Sequence, residues 1–179
     1  MLSSIGKGIK PTMTITPRKW HGLVKSLAAT PFGSWLLPKL LHRIDMLLFR
    51  ITSNRICLTS LLTGLPVIIL THTGAKSGLQ RQLPLVALQD GEKLILIASY
   101  FGSQRHPAWY FNLKANPRVE VSRGKQTAHF IARQAQNEER RLYWSLAEQH
   151  YTGYHLYQSK AGSREIPVIV LEPLDSADK

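Results

Sequence analysis

Residues 71–81 carry the side-chain types that hold phosphate groups. Gly74 and Gly78 permit a tight backbone turn that brings N–H groups toward an anion. The cations and the hydroxyl of this segment are Lys76, Ser77 and Arg81. Its spacing differs from a Walker A loop, in which Gly-Lys-Ser/Thr ends a longer spacer and opens a helix. The segment predicts an anion-binding turn, with a solvated hairpin loop as the alternative.

Two further segments combine aromatic residues with backbone donors. In residues 98–113, a strand end, a glycine turn and a helix N-terminus offer oriented N–H groups. The alternative is that Trp109, Tyr110 and Leu113 are simply the buried face of a short helix. Further along, phenols recur every third residue, at Tyr151, Tyr154 and Tyr157. On a helix these phenols share a face. They would line an aromatic substrate pocket and offer a proton donor, or would pack in the core.

Other catalytic chemistries find no support in the sequence. The seven histidines show no metal-ligand spacing, no Gly-x-Ser-x-Gly elbow occurs, and acidic groups are sparse around the candidate residues. The single cysteine, Cys57, excludes an internal disulfide and a cysteine-based zinc site. The candidates therefore supply binding and orientation without a self-sufficient nucleophile, which is typical of a cofactor-dependent enzyme or a binding module.

Short apolar runs rich in β-branched residues predict the strands that position these candidates. The predicted strands cover residues 67–70, 83–89, 94–99, 118–123, 127–132 and 166–171. Asp90-Gly91 and Gly124-Lys125 mark hairpin turns. Helices are predicted at 106–115 and at 137–150, the latter capped by Asn137. Hairpin-joined strands with few helices indicate a mainly β (α+β) domain built on an antiparallel barrel, and not a doubly wound sheet.

The chain has 179 residues, enough for one domain, and a formal net charge of +12. Residues 1–60 hold most of this charge and are predicted to form a basic arm with an amphipathic helix at 34–49, packed on the domain or on an anionic bilayer. Residues 61–179 are predicted to form the cofactor-binding domain. Because neither a secretory signal nor a membrane-spanning stretch is found, we expect a cytoplasmic protein, peripheral at the inner face of the cell membrane. No motif supports a nucleic-acid partner.

Residues 64–173 resemble the deazaflavin-dependent nitroreductase family, which uses coenzyme F420, an 8-hydroxy-5-deazaflavin. The most specific stretch is Trp-Tyr-x-Asn-Leu-x-Ala-Asn-Pro at 109–117, supported by Leu-Thr-His-Thr-Gly-Ala-Lys-Ser-Gly at 70–78 and by the tyrosine series. The resemblance implies a split β-barrel related to the FMN-binding barrels, with a few flanking helices. It implies a reductase that transfers a hydride from C5 of the reduced coenzyme to a quinone, an enone or a nitroaromatic acceptor.

The resemblance also implies a role for each candidate residue. The coenzyme's phosphate and oligoglutamate tail would be gripped by Gly74, Lys76, Ser77, Gly78 and Arg81. Its ring would lie beside Pro84, Leu85, Val86, Ala98, Ser99, Tyr100, Ala108 and Trp109. The substrate side would be covered by Tyr151, Tyr154 and Tyr157, with the last two as orienting groups or proton donors.

Two departures from the family pattern leave alternatives open. Ala75 stands where members usually carry arginine, and Tyr100 stands where they often carry lysine or asparagine. Fewer cations would weaken tail binding, which leaves room for FMN in place of the deazaflavin. A non-catalytic carrier of a flavin or lipid at the membrane surface is the alternative from another class. Exposed edge strands would allow a homodimer.

Overall fold

The computed structural model describes residues 66–174, which form six strands and three helices. The strands are β1 (Val67–Thr73), β2 (Gln80–Asp90), β3 (Lys93–Ile97), β4 (Arg118–Arg123), β5 (Gln126–Gln134) and β6 (Val168–Pro173). The helices are α1 (Ala108–Ala115), α2 (Asn137–His150) and α3 (Gly153–Lys160), and Tyr100–Gly102 forms one further short helical turn. The expected arm and amphipathic helix at 1–60 lie outside the described residues.

The six strands form a closed antiparallel barrel in the order β1-β2-β3-β6-β5-β4. Both predicted hairpins are confirmed: Gly91-Glu92 joins β2 to β3, one residue later than the predicted Asp90-Gly91 turn, and Gly124-Lys125 joins β4 to β5. Each described strand pairs with two neighbours. The expectation that free strand edges support a dimer is therefore wrong for residues 66–174. The mainly β barrel is confirmed.

Strand alternation divides the side chains between two cores. The barrel interior holds alternate residues of all six strands, among them Leu70, Leu96, Val121 and Leu171, and α1 closes one end with Trp109, Tyr110 and Leu113. The outer faces of β3 and β6 carry a second core, which α2 and α3 cover. Helix α2 begins one residue after its N-cap Gln136, and Asn137 itself adopts a positive φ, so Asn137 is not the cap.

The topology gathers the candidate residues at one end of the barrel. Strands β1 and β3 both run antiparallel to β2, so the β1–β2 turn and the loop after β3 emerge together. Helix α1 and the start of β6 lie at this same end, which we call the site end. The Gly124-Lys125 turn lies at the opposite end. No helix within residues 66–174 is long and apolar enough to span a membrane.

Candidate active site

The glycine turn at residues 74–79 is shorter than the sequence suggested, because β1 continues to Thr73 and β2 begins at Gln80. Gly74 N–H donates to the Leu79 carbonyl at 2.9 Å, and Gly78 N–H donates to the Gly74 carbonyl at 2.9 Å. Gly78 has a φ of +66°, which favours glycine there. A Cβ at Gly74 would lie only 2.7 Å from Ser77 Oγ and 3.1 Å from Arg81 Nε. The turn therefore requires glycine at position 78 for its backbone, and a side chain at position 74 would displace Ser77 and Arg81.

Free donors and cations remain on this turn. Among the described residues, the N–H groups of Lys76 and Ser77 have no hydrogen-bond partner, and neither Lys76 nor Arg81 forms an ion pair. Lys76, Ser77 and Arg81 are exposed. Exposed cations beside free backbone donors fit a phosphorylated, polyanionic group, so the donor set matches the tail of the expected coenzyme.

Asn112 of α1 and Asn116, the residue that caps the C-terminus of α1, hold the turn in place. Ala75 N–H donates to Asn112 Oδ1 at 3.0 Å, Asn112 Nδ2 lies 3.4 Å from His72 Nδ1, and Asn116 Nδ2 donates to the Thr73 carbonyl at 3.4 Å. Burial, with a smaller contribution from the charge of Arg81, lowers the pKa of His72. Sequence reasoning assigned no role to His72, Asn112 or Asn116. The signal for the two asparagines was their four-residue spacing, which brings Asn112 and the C-cap Asn116 to the same side of the end of α1.

The loop after β3 presents aromatic side chains at the site end. Tyr100 and Phe101 have φ of +47° and +55°, and both side chains are about half exposed. Two successive non-glycine residues in the left-handed region are unusual and must be held by their surroundings. Gly102, with φ of +78°, packs so closely on α3 that a Cβ would lie 2.8 Å from the Tyr157 carbonyl oxygen. The Phe101 and Tyr157 rings meet edge to face at 6.1 Å.

Arg164, which sequence reasoning missed, holds this loop by its backbone. Its guanidinium donates to the carbonyls of Ser103 at 2.8 Å, Ser99 at 2.7 Å and Ala98 at 3.3 Å. These contacts span more than sixty residues of sequence, so no local pattern predicts them. Arg164 therefore fixes both ends of the left-handed turn.

The three tyrosines pack as one aromatic cluster beside that loop. The Tyr151 ring lies 5.5 Å from Tyr154 and 6.0 Å from Tyr157, and the hydroxyls of Tyr151 and Tyr157 are 3.4 Å apart. Tyr154 and Tyr157 are buried, whereas Tyr151 is half-buried. Burial raises the pKa of Tyr154 and of Tyr157 above the ordinary value for a phenol. Both phenols therefore keep their protons at neutral pH, and Tyr151 is the most accessible of the three.

The candidates for the coenzyme ring do not all face one way. Leu85 packs against the barrel interior, while Pro84 and Val86 pair with Ile69 and Val67 on the outer face. Trp109 is 8% exposed in the interior core, so the buried-face interpretation holds for it. Ala98 is likewise buried in the interior core, whereas Ser99, Tyr100 and Ala108 are accessible at the site end. The turn and these residues together can hold an anionic tail beside an aromatic surface.

Comparisons with known proteins agree with this arrangement. The F420H(2)-dependent quinone reductase family matches residues 43–173. An F420H(2)-dependent quinone reductase of Mycobacterium tuberculosis is 37% identical over 135 residues, which cover 73% of this chain and 89% of that protein.

Two solved structures share the fold. An F420-H2 dependent reductase is 42% identical, with a TM-score of 0.56 over 60% of this chain and 94% of its own. A domain-swapped dimer is 35% identical, with a TM-score of 0.58 over 80% of this chain and 100% of its own. The resemblance found in the sequence is thereby confirmed. The chain belongs to the F420H(2)-dependent quinone reductase family, whose members are oxidoreductases that depend on reduced coenzyme F420.

Proposed function

We propose that this protein reduces a quinone with hydride from coenzyme F420 bound at the site end of the barrel. The proposal rests on two cations, Lys76 and Arg81, that form no ion pair within residues 66–174, on a turn with two N–H groups that have no partner in the same range. Gly74 and Gly78 shape this turn, and Ser77 adds a hydroxyl. A polyanionic tail would find both charge and directed donors there.

The residues of the β3 loop and of α1 have different tasks in this proposal. Ser99, Tyr100 and Ala108 form the surface against the deazaflavin ring, with Pro84 and Val86 on the neighbouring strand, and the buried Ala98 supports this surface from the interior core. Leu85 and Trp109 support that surface from the barrel interior, because their side chains are packed there. Exclusion of water by Tyr100 and Phe101 would strengthen every polar contact to the ring.

When bound, the reduced coenzyme would supply a hydride from C5 of its ring. The tyrosine cluster covers the acceptor side, where Tyr151 reaches the acceptor and Tyr157 orients the Tyr151 hydroxyl across 3.4 Å. Because burial raises the pKa of Tyr154 and of Tyr157, these phenols donate hydrogen bonds and do not release protons readily. Solvent or Tyr151 then supplies the proton that neutralises the reduced acceptor.

Steady-state turnover tests this proposal. Oxidation of the reduced coenzyme is followed with a soluble naphthoquinone, an enone and a nitroaromatic, in wild type, in Lys76→Ala and in Lys125→Ala. Lys125 is the matched control, since it is an exposed lysine in a glycine-containing turn at the opposite barrel end. We expect the quinone to be the best acceptor and the KM for coenzyme to rise only in Lys76→Ala. Coenzyme binding without turnover with any acceptor would instead favour the non-catalytic carrier, and turnover with FMN alone would change the cofactor.

The assembly and location of the protein are further parts of the proposal. A relative whose structure is a domain-swapped dimer supports a homodimer for this chain, to be tested by light scattering in solution. Since the described barrel has no free edge, such a dimer would use side-chain faces or exchanged segments. The net charge of +8 on residues 1–60 supports a peripheral contact with anionic membrane from the cytoplasmic side, tested by co-sedimentation with anionic and neutral vesicles.

A further inference from the structure

Arg164 makes a fourth contact that concerns a side chain. Its Nη1 lies 3.2 Å from Nδ1 of His106, in addition to the three loop carbonyls that it holds. A guanidinium can only donate hydrogen bonds, so Nδ1 must be the unprotonated acceptor. The neutral imidazole then carries its proton on Nε2. The geometry thus selects one tautomer of His106.

The surroundings of His106 favour its neutral form. Burial lowers its pKa, and the charges of Arg164 and Lys114 lower it further. The ring lies 4.8 Å from the Tyr110 ring and meets Phe111 edge to face at 5.8 Å, so its plane is held from two sides. A neutral, held imidazole with a defined tautomer is a fixed N–H donor.

The Nε2 atom of His106 has no hydrogen-bond partner among the described residues. The side chain is half-buried at the site end, just before α1. The same loop carries the half-exposed rings of Tyr100 and Phe101. An aromatic surface beside one polar donor suits a planar ligand that has a carbonyl oxygen at its edge.

We propose that Arg164 and His106 act as one unit, in which Arg164 fixes the tautomer of His106 and His106 Nε2–H donates to a ring carbonyl oxygen of the bound ligand. The inference rests on the proposed function, because the coenzyme ring and a quinone both carry such oxygens. The step is a hydrogen bond without proton transfer, and it strengthens if negative charge develops on that oxygen. Arg164 is a positioning residue, since it acts through His106.

The ligand-free protein tests the first half of the proposal. Nitrogen-15 NMR of histidine-labelled protein, with the signal assigned by loss in His106→Gln, should show an unprotonated Nδ1 and a protonated Nε2 between pH 7 and 8. In Arg164→Lys, which keeps the charge but loses the forked donor, the tautomers should mix. A wild-type His106 that becomes a cation in this range, or a tautomer unchanged in Arg164→Lys, would overturn the proposal. This arm needs no coenzyme, so it is independent of the proposed function.

Binding and kinetics test the second half. His106→Phe removes the donor, His106→Gln keeps an N–H, and His129→Phe is the control at an exposed histidine of β5. If the coenzyme is the partner, His106→Phe should raise its Kd about tenfold; if the quinone is the partner, the Kd stays constant while kcat/KM for the quinone falls about tenfold. His106→Gln should recover part of either loss. Wild-type-like Kd and kcat/KM in His106→Phe would refute the inference, whereas a wild type that does not bind coenzyme would refute the proposed function.

Discussion

The contact between Gly102 and α3 yields a prediction whose size follows from the structure. In Gly102→Ala, the new Cβ would lie 2.8 Å from both Lys160 Cβ and the Tyr157 carbonyl oxygen, with φ at +78°. The left-handed backbone costs an alanine about 1–2 kcal/mol. Forcing a methyl group into a packed contact adds about 1–3 kcal/mol. Gly124→Ala carries the backbone cost alone, because nothing lies within 4 Å of its Cβ at a φ of +60°.

Chemical unfolding of the two variants separates these terms. We expect Gly102→Ala to lose about 1–3 kcal/mol more than Gly124→Ala in the free energy of unfolding. The displaced loop should also weaken coenzyme binding in Gly102→Ala and leave it unchanged in Gly124→Ala. Equal losses of stability in the two variants would refute the close packing of the loop on α3. Unchanged coenzyme affinity in Gly102→Ala would refute the role of the loop in binding.

Three further predictions test other parts of the site and its support. In Gly153→Ala the new Cβ overlaps the Tyr151 ring, so the acceptor KM should rise while the coenzyme Kd stays constant, and an unchanged KM would contradict the role of Tyr151. Burial and the hydrogen bond to Asp90 raise the pKa of Tyr143 to about 12, so the stability that the protonated phenol adds is present below pH 10 and is lost as the pH rises toward 12. The free energy of unfolding of Tyr143→Phe should therefore fall less than that of wild type between pH 10 and pH 12. Identical dependences on pH in the two proteins would contradict this role of the Tyr143 phenol. Asn112→Ala removes the hydrogen bond to Ala75 N–H and should raise the coenzyme Kd about fivefold in a fluorescence titration. An unchanged Kd would show that the glycine turn keeps its conformation without Asn112.

Local signals predicted most of the barrel. Gly91 and Gly124 supply the positive φ that two-residue hairpins need, so strand pairing could be predicted from neighbouring residues. The ends of β1 and β2 were missed because His72 and Gln80 are polar, although their strands continue to the site end of the barrel. Barrel closure, by contrast, joins β1 to β4 across about fifty residues, which no local pattern reveals.

The site was predictable in its residue types and less so in its orientation. Tyrosine spacing showed which phenols lie together, but not that α3 turns Tyr154 and Tyr157 toward the core and leaves Tyr151 more accessible. Arg164 lies in no motif, and its role depends on carbonyls that only the folded chain brings to it. A single sequence shows the chemistry that a segment can offer, whereas contacts distant in sequence decide which atoms are left free to bind.

A binding titration tests the central claim most directly. Oxidised coenzyme F420 and, in parallel, FMN are added to wild type, Lys76→Ala and Lys125→Ala, with tryptophan fluorescence as the signal. We predict saturable coenzyme binding that salt weakens, with Kd raised about fivefold to tenfold in Lys76→Ala and unchanged in Lys125→Ala. Absence of saturable coenzyme binding, equal losses in the two lysine variants, or binding of FMN alone would contradict a deazaflavin site at the glycine turn.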